Sequence, residues 1–468
     1  MENKFSKYLK KKKPIVKKLV EELLLDYSYV SCLATDVKGE SISVDRFSTS
    51  ITPSTITESG FVVKVYNGSR YSEYSFNEID EKNYQDILND IKRVASVEFD
   101  IKEVSVKALE EKPLKKSFTR KNEGKDYETS EIVSILQGYV NEAIAKNELV
   151  INARCGIENT EISKMFISKE KDLEQYYTWS GPRCFVLVRR DDNTKYAYDG
   201  FGYNSIEKGL VELKERMQKA ANLAVELLDA TPPKPGIYDV ITDSSITGLI
   251  AHEAFGHGVE MDMFVKDRAK AKEFMDKKVA SKLVNMHDGA KSCLSAASYF
   301  FDDDGVLAHD TKIIKNGILK AGISDALSAL QLGTEPTGNG RRENYKHKAY
   351  TRMTNTFFEG GKDDLSDMIK SIDYGYMIFD TNNGMEDPKN WGIQCTASYG
   401  REIKNGEFTG KLISPVVMSG NVIDLLSSIS AVSKDVVVTG SGSGGKGYKV
   451  WVRVSDGGAC LKAKVKIG

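Results

Sequence analysis

The stretch that most constrains this chain is His252-Glu253-Ala254-Phe255-Gly256-His257. Two imidazoles can hold a transition metal, and a glutamate beside the first is suited to act as a general base next to it. The spacing places a demand on the backbone. Histidines four apart differ by roughly 40° around an α-helix and share a face, but five apart they differ by roughly 140°. Both reach one metal only where the helix widens into a π-turn or unwinds near His257. Gly256 and Gly258 flank that histidine and permit either. Asp243, Ser244 or Ser245 is suited to cap the helix that carries the pair.

The rest of the chain supplies a frame for this helix. Residues 14–25 repeat apolar positions at helical spacing and open on Pro14, which suits a first helical turn. Alternation over 28–35, 38–46 and 59–76 reads as strands, the last folded into a hairpin at Asn67-Gly68. Helical periods return at 81–94, 129–146 and 206–230, with a polar loop at 108–127 and a meandering sheet over 148–202. The prolines of Thr231–Gly236 mark a linker. Two domains are therefore expected, over 1–231 and 236–468. Beyond the linker a strand is expected at 237–242, a helix at 265–278 and a strand near 280–286. Asn316-Gly317 and Asn405-Gly406 each sit between alternating runs and predict tight hairpins. A C-terminal hairpin is expected to join KVWVRV to CLKAKVKI through Ser455–Gly458. The fold class expected is α+β: an N-terminal α/β domain, then a largely antiparallel β domain with the histidine helix embedded in it.

Several function classes are disfavoured. A net charge of −1 and the lack of a basic helix argue against a nucleic-acid partner. No run approaches ~18 uncharged apolar residues, so no membrane span is expected. The six cysteines are scattered without a CxxC, which points to a reducing, cytoplasmic setting. The run GSGSGGKG (440–447) is not a phosphate loop, because Gly447 follows Lys446 and a strand comes next. Its glycines suit close approach to the metal or to a substrate backbone.

The run HEAFGHGVEMD resembles the metal-binding segment of the TldD subgroup of TldD/PmbA peptidases. The same order of motifs continues through Phe301-Asp-Asp-Asp-Gly305, EPTGNGRRENYKH (335–347), RMTNT (352–356), GMEDPKNWGIQ (384–394) and GGKGYKVWVRVSDGG (444–458). The resemblance implies a cytoplasmic zinc-type metallopeptidase with one metal per chain, paired as a homodimer or as a heterodimer with a PmbA/TldE-like subunit that lacks the histidines. It implies unfolded or unstructured peptides as substrates, cut with low sequence preference. By this reading His252 and His257 hold the metal, and Glu253 is the general base for a metal-activated water.

The resemblance also implies a cysteine as third ligand, and the aligned position here is Gly444. Three other side chains stand as candidates. Glu260 lies three residues after His257, near a shared helix face. Cys395 follows GIQ on an expected strand. Cys460 offers a thiol, although the expected hairpin puts it roughly 30 Å from Gly444. The vacancy at 444 keeps an alternative open, a catalytically weakened subunit that holds peptides for an active partner.

Overall fold

The computed structural model describes residues 4–97, 107–120, 122–440, 442–446 and 451–468. The fold is α+β, as expected. Helices α1 (Lys7–Leu23), α2 (Tyr84–Ser96), α3 (Thr129–Lys146) and α4 (Ile206–Glu226) accompany an eight-stranded sheet. Its strands are β1 (Tyr29–Asp45), β2 (Thr49–Pro53), β3 (Glu58–Tyr66), β4 (Tyr71–Phe76), β5 (Leu114–Thr119), β6 (Val150–Ser168), β7 (Lys171–Arg190) and β8 (Asn193–Gly200). Every pairing in this sheet is antiparallel except β5 with β7.

The sequence expectations need three corrections in this half. Pro14 lies inside α1 and not in its first turn, because Ser6 accepts a bond from the Leu9 N–H and starts the helix at Lys7. Lys12 pairs with Glu78, while Lys13 pairs with Asp172 and Glu174, tying the turns around the proline to neighbouring elements. The expected strands 28–35 and 38–46 are one strand, because Asp36 and Val37 in the expected gap pair with β3 on one side and β6 on the other. Residues 114–119, expected as loop, form β5, with Phe118 stacked on Phe300.

The second half carries β9 (Gly236–Thr242), β10 (Met286–Asp288), β11 (Thr311–Lys315), β12 (Ile318–Leu319), β13 (Gly340–Arg341), β14 (Tyr350–Thr351), β15 (Asn355–Phe358), β16 (Tyr374–Asp387) and β17 (Gly392–Lys404). Then follow β18 (Glu407–Ile413), β19 (Val416–Asn421), β20 (Ala431–Val432), β21 (Val437–Thr439), β22 (Ser443–Gly444), β23 (Val452–Arg453), β24 (Ser455–Gly458) and β25 (Leu461–Ile467). A seven-stranded sheet runs β16-β9-β25-β19-β17-β18, with β20 beside β25, and a six-stranded sheet runs β12-β11-β10-β15-β24-β21. The pairings are antiparallel apart from β9 with β16 and β15 with β24. Both Asn-Gly hairpins form, with Asn316, Gly317, Asn405 and Gly406 all at positive φ.

Helix 265–278 does not form. Asp267 and Asp276 adopt positive φ and break the run, leaving a short helix at Met261–Val265 and a single tight turn at Lys270–Phe274. The strand expected near 280–286 is instead β10. The C-terminal hairpin is also absent among the described residues, while 447–450 lie outside them. Residues 455–458 form β24 between β15 and β21, and β25 joins the other sheet beside β9. Gly457 and Gly458 serve close approach here: a Cβ on Gly457 would meet the Val437 carbonyl, and one on Gly458 would meet Thr247.

The two halves are clasped by charge and by a small apolar cluster. Lys64 of β3 reaches Asp304 at 2.5 Å and Glu73 at 3.4 Å, while Lys164 of β6 reaches Asp303 at 2.5 Å. Arg342 pairs with Glu73 at 3.1 Å. Leu33, Phe166 and Leu173 pack on Phe301 beside them. Lys64 and Asp304 are each 5% exposed, so removing one leaves the other charge buried and underpaired. Lys64→Met is therefore expected to cost about 3–5 kcal/mol of unfolding free energy, measured by urea denaturation.

Candidate metal centre

Helix α5 (Ser244–Ile250) begins at Asp243, whose carboxylate accepts the Ile246 N–H at 2.8 Å. Of the three capping residues proposed from sequence, Asp243 is the one in place. The helix leaves β9 and packs against β24. Gly248 makes this possible, because a Cβ there would lie 2.4 Å from the Gly457 nitrogen and 2.7 Å from the Asp456 Oδ1.

The helix then widens. Ala251–Gly256 is a π-turn, followed by a tight turn at His257–Val259. The His257 N–H donates to the His252 carbonyl, an i→i+5 bond between the two histidines themselves. The widened turn thus returns both imidazoles to one side of the helix. Their ring centroids lie 5.0 Å apart at an interplanar angle of 87°. Ligand atoms of His252, Glu253 and His257 all fall within 4.8 Å of one another, the only such trio of His, Cys, Asp or Glu among the described residues.

Packing enforces this turn. A Cβ on Gly256 would lie 2.0 Å from the Met353 sulfur, so any larger residue there must push the buried Met353 side chain aside. A Cβ on Gly258 would stand 3.1 Å from Glu386 Oε1. Phe255 and Trp391 fill the space behind, both fully buried.

Each imidazole turns its Nδ1 edge toward a carboxylate. His257 Nδ1 is 3.4 Å from Glu260 Oε2, and His252 Nδ1 is 3.9 Å from Asp456 Oδ2. Burial, then the neighbouring His257, pushes His252 down to about 3, so it stands as the neutral imidazole that a metal ligand must be. Burial raises Glu253, with His257 opposing the rise and Glu260 adding to it. Burial and the Glu253 charge push Asp456 up to about 7. Glu386, with both carboxyl oxygens buried and unpartnered, is pushed up to about 9 by burial and then by Glu253.

Gly444 lies at this cluster. A Cβ built on it would be 3.1 Å from His252 Cε1 and 3.4 Å from His252 Nε2. Position 444 therefore faces the Cε1–Nε2 edge of His252, with the Arg352 guanidinium 3.4 Å away. Its carbonyl accepts a 2.7 Å bond from Arg352.

The three proposed substitutes lie outside the trio. Glu260 is 1% exposed and engaged by Lys446 at 3.0 Å and by Arg352 at 3.6 Å. Burial pushes it up, but Lys446, His257 and Arg352 more than offset that and hold it at about 2. Cys395 pairs with Gly384 across β16 and β17, and Gly384 abuts Glu253, so this thiol lies one strand behind the glutamate. Burial and Glu253 push it up to about 12, which keeps it a protonated thiol. Cys460 packs beside Met368 and Ile372 in a separate cluster, its N–H bonded to Ser433.

Arg352, Met353, Glu386, Lys446 and Asp456 shape the site without having been singled out as site residues. All five fall inside the family-like runs RMTNT, GMEDPKNWGIQ and GGKGYKVWVRVSDGG. Arg341, which reads from sequence as a peptide-binding or turn-bracing arginine, donates to the carbonyls of Met353 and Arg453 and braces the strands beside the site.

Residues 235–455 match the family described as PmbA/TldA metallopeptidase C-terminal domain. The chain is 31% identical to the metalloprotease MJ0996 of Methanocaldococcus jannaschii over 60% of this chain and 62% of that protein. It is 30% identical to a zinc metalloprotease TldD homolog of Saccharolobus solfataricus, over 58% of each. The matched stretch thus spans less than two thirds of either relative. The crystal structure of TldE from Thermococcus kodakarensis superposes with a TM-score of 0.77 at 20% identity, covering 97% of this chain and all of that one, which shows a shared fold.

Gly256→Ala tests the packing of the widened turn. Overpacking against Met353 is expected to cost about 1–3 kcal/mol in chemical denaturation and to lower metal uptake with it.

Proposed function

Because this chain belongs to the PmbA/TldD family, we propose that it is a TldD-type, metal-bearing peptidase that cleaves unfolded or unstructured peptides with low sequence preference. The observation that carries this reading is the trio His252, Glu253 and His257, brought together by the π-turn. The donor set fits a zinc-type divalent ion, one per chain. Its two imidazoles include one held neutral, as a metal ligand must be, and Glu253 stands within 4.8 Å of both. When bound, such an ion polarises a carbonyl and lowers the pKa of water to about 7.

His252 and His257 hold the ion. The Glu253 carboxylate takes the proton of the attacking water and returns it to the departing amine. Its burial, with Glu260 near, favours proton uptake in the first of these steps. Arg352 and Lys446 fix the segment 442–446 against the helix, through the Gly444 carbonyl and through Glu260.

The division into residues 1–231 and 236–468 is part of this reading, supported by the eight-stranded sheet ending at Gly200 and α4 ending before the prolines. So are a cytoplasmic setting and assembly as a homodimer or with a PmbA/TldE-like subunit, with neither nucleic acid nor membrane as partner. Among the described residues no helix is long and apolar enough to cross a membrane.

A second reading follows from Gly444, which offers no side chain at the position facing His252. The chain would then be a catalytically weakened subunit that holds peptides for an active partner. Glu253→Gln separates the two. With zinc retained, it is expected to lower cleavage of an unfolded peptide by about 10²–10⁴-fold. If the native chain binds zinc yet neither form cleaves, even with a partner subunit supplied, the peptidase reading falls and the holding reading stands. Gly444→Cys is expected to tighten zinc binding by about tenfold or more in a chelator competition, since it adds a thiolate donor. No gain would count against 444 as a ligand position.

A further inference from the structure

We propose that Asp456 and Glu260 are positioning residues that fix the tautomers of His252 and His257, so that both imidazoles present Nε2 to the metal. This rests on the metal-binding reading given above. A neutral imidazole has one N–H and one lone pair, and whatever accepts the N–H decides which nitrogen is free to ligate.

The geometry gives each ring one carboxylate on the same edge. Glu260 Oε2 lies 3.4 Å from His257 Nδ1, and Asp456 Oδ2 lies 3.9 Å from His252 Nδ1. The opposite edge of His252 faces Gly444, with Nε2 3.4 Å from the Cβ position there. The His252 Nδ1 is buried and has no partner within hydrogen-bond distance, and Asp456 is the one carboxylate among the described residues within 4.0 Å of it.

Both carboxylates are themselves held. Glu260 receives Lys446 at 3.0 Å, and Lys446 also reaches Asp262 at 2.7 Å and the Thr351 carbonyl at 3.0 Å. Asp456 sits on β24, paired on both sides, with Oδ1 against the bare Cα of Gly248. Asp456 comes from a strand more than 200 residues along the chain from His252, and Glu260 from the turn after His257. The ring edges are thus set by two separate parts of the fold.

The test uses the full chain and zinc alone. Long-range proton–nitrogen NMR on the histidine-labelled native protein reads each tautomer directly, and five histidines make the spectrum tractable. In the zinc-loaded form both site imidazoles are expected to carry the proton on Nδ1. Asp456→Ala is expected to weaken zinc binding by about 10–100-fold and to change the His252 signals alone. Asp456→Asn, which keeps an acceptor oxygen, is expected to recover part of the loss. A purely structural role for Asp456 would not confine the spectral change to His252. Zinc bound through Nδ1 of either ring, or an Asp456→Ala protein with native affinity and native His252 signals, would overturn the proposal and leave the metal reading intact. A native chain that takes up no zinc would remove the metal reading, and this proposal with it.

Discussion

The structure of this site depends on one hydrogen bond, from the His257 N–H to the His252 carbonyl. In a regular α-helix that donor would go to residue 253, and the two imidazoles would diverge. Adding one residue to the turn brings them to 5.0 Å between ring centroids. Such a turn is rare because it gives up regular i→i−4 bonding, so it persists only where surroundings specify it. Here Met353 specifies it from one side by occupying the space a Cβ at 256 would need. Phe255, buried against Trp391, anchors it from the other.

Much of this was legible in the sequence because it is local. A five-residue histidine spacing with glycine at 256 and 258 already requires a widened or unwound turn. The Asn-Gly pairs at 316 and 405 fix hairpins by their own positive φ. What failed to read locally was glycine used for proximity. Gly457 and Gly458 look like turn residues in one dimension, yet both lie within a strand where a neighbour comes too close for a side chain. That ambiguity closed a C-terminal hairpin that the described residues do not form. At Gly444 the expected closeness to the metal ligands matches the structure, where its Cβ position is 3.1 Å from His252.

The same limit explains the residues that sequence reasoning missed. Arg352, Glu386 and Asp456 acquire meaning only through contacts with elements about 100 to 200 residues away, and no periodicity encodes such contacts. A motif run can flag the neighbourhood of each, but only packing shows which side chain points inward. Glu260 illustrates the converse. Its spacing from His257 suggested a ligand, whereas its two cationic neighbours make it a carboxylate already engaged.

Charge around the trio is divided unevenly, and the division bears on what the site can hold. Lys446 and Arg352 both lie toward Glu260, and that carboxyl is held low. On the other side stand Glu253, Glu386 and Asp456, all pushed upward by burial, with Glu253 itself raising the other two. Buried carboxyls in that state either keep protons or face a cation. Imidazole donors beside uncompensated carboxyls make a setting that a divalent ion stabilises twice, by ligation and by charge. The cations already present cannot do this, because Lys446 and Arg352 are committed to Glu260 and to the backbone of Thr351 and Gly444. The two sides thus differ in charge state. Glu260 is held ionised by its two cations, whereas Glu253, Glu386 and Asp456 are left to take up protons unless a cation faces them.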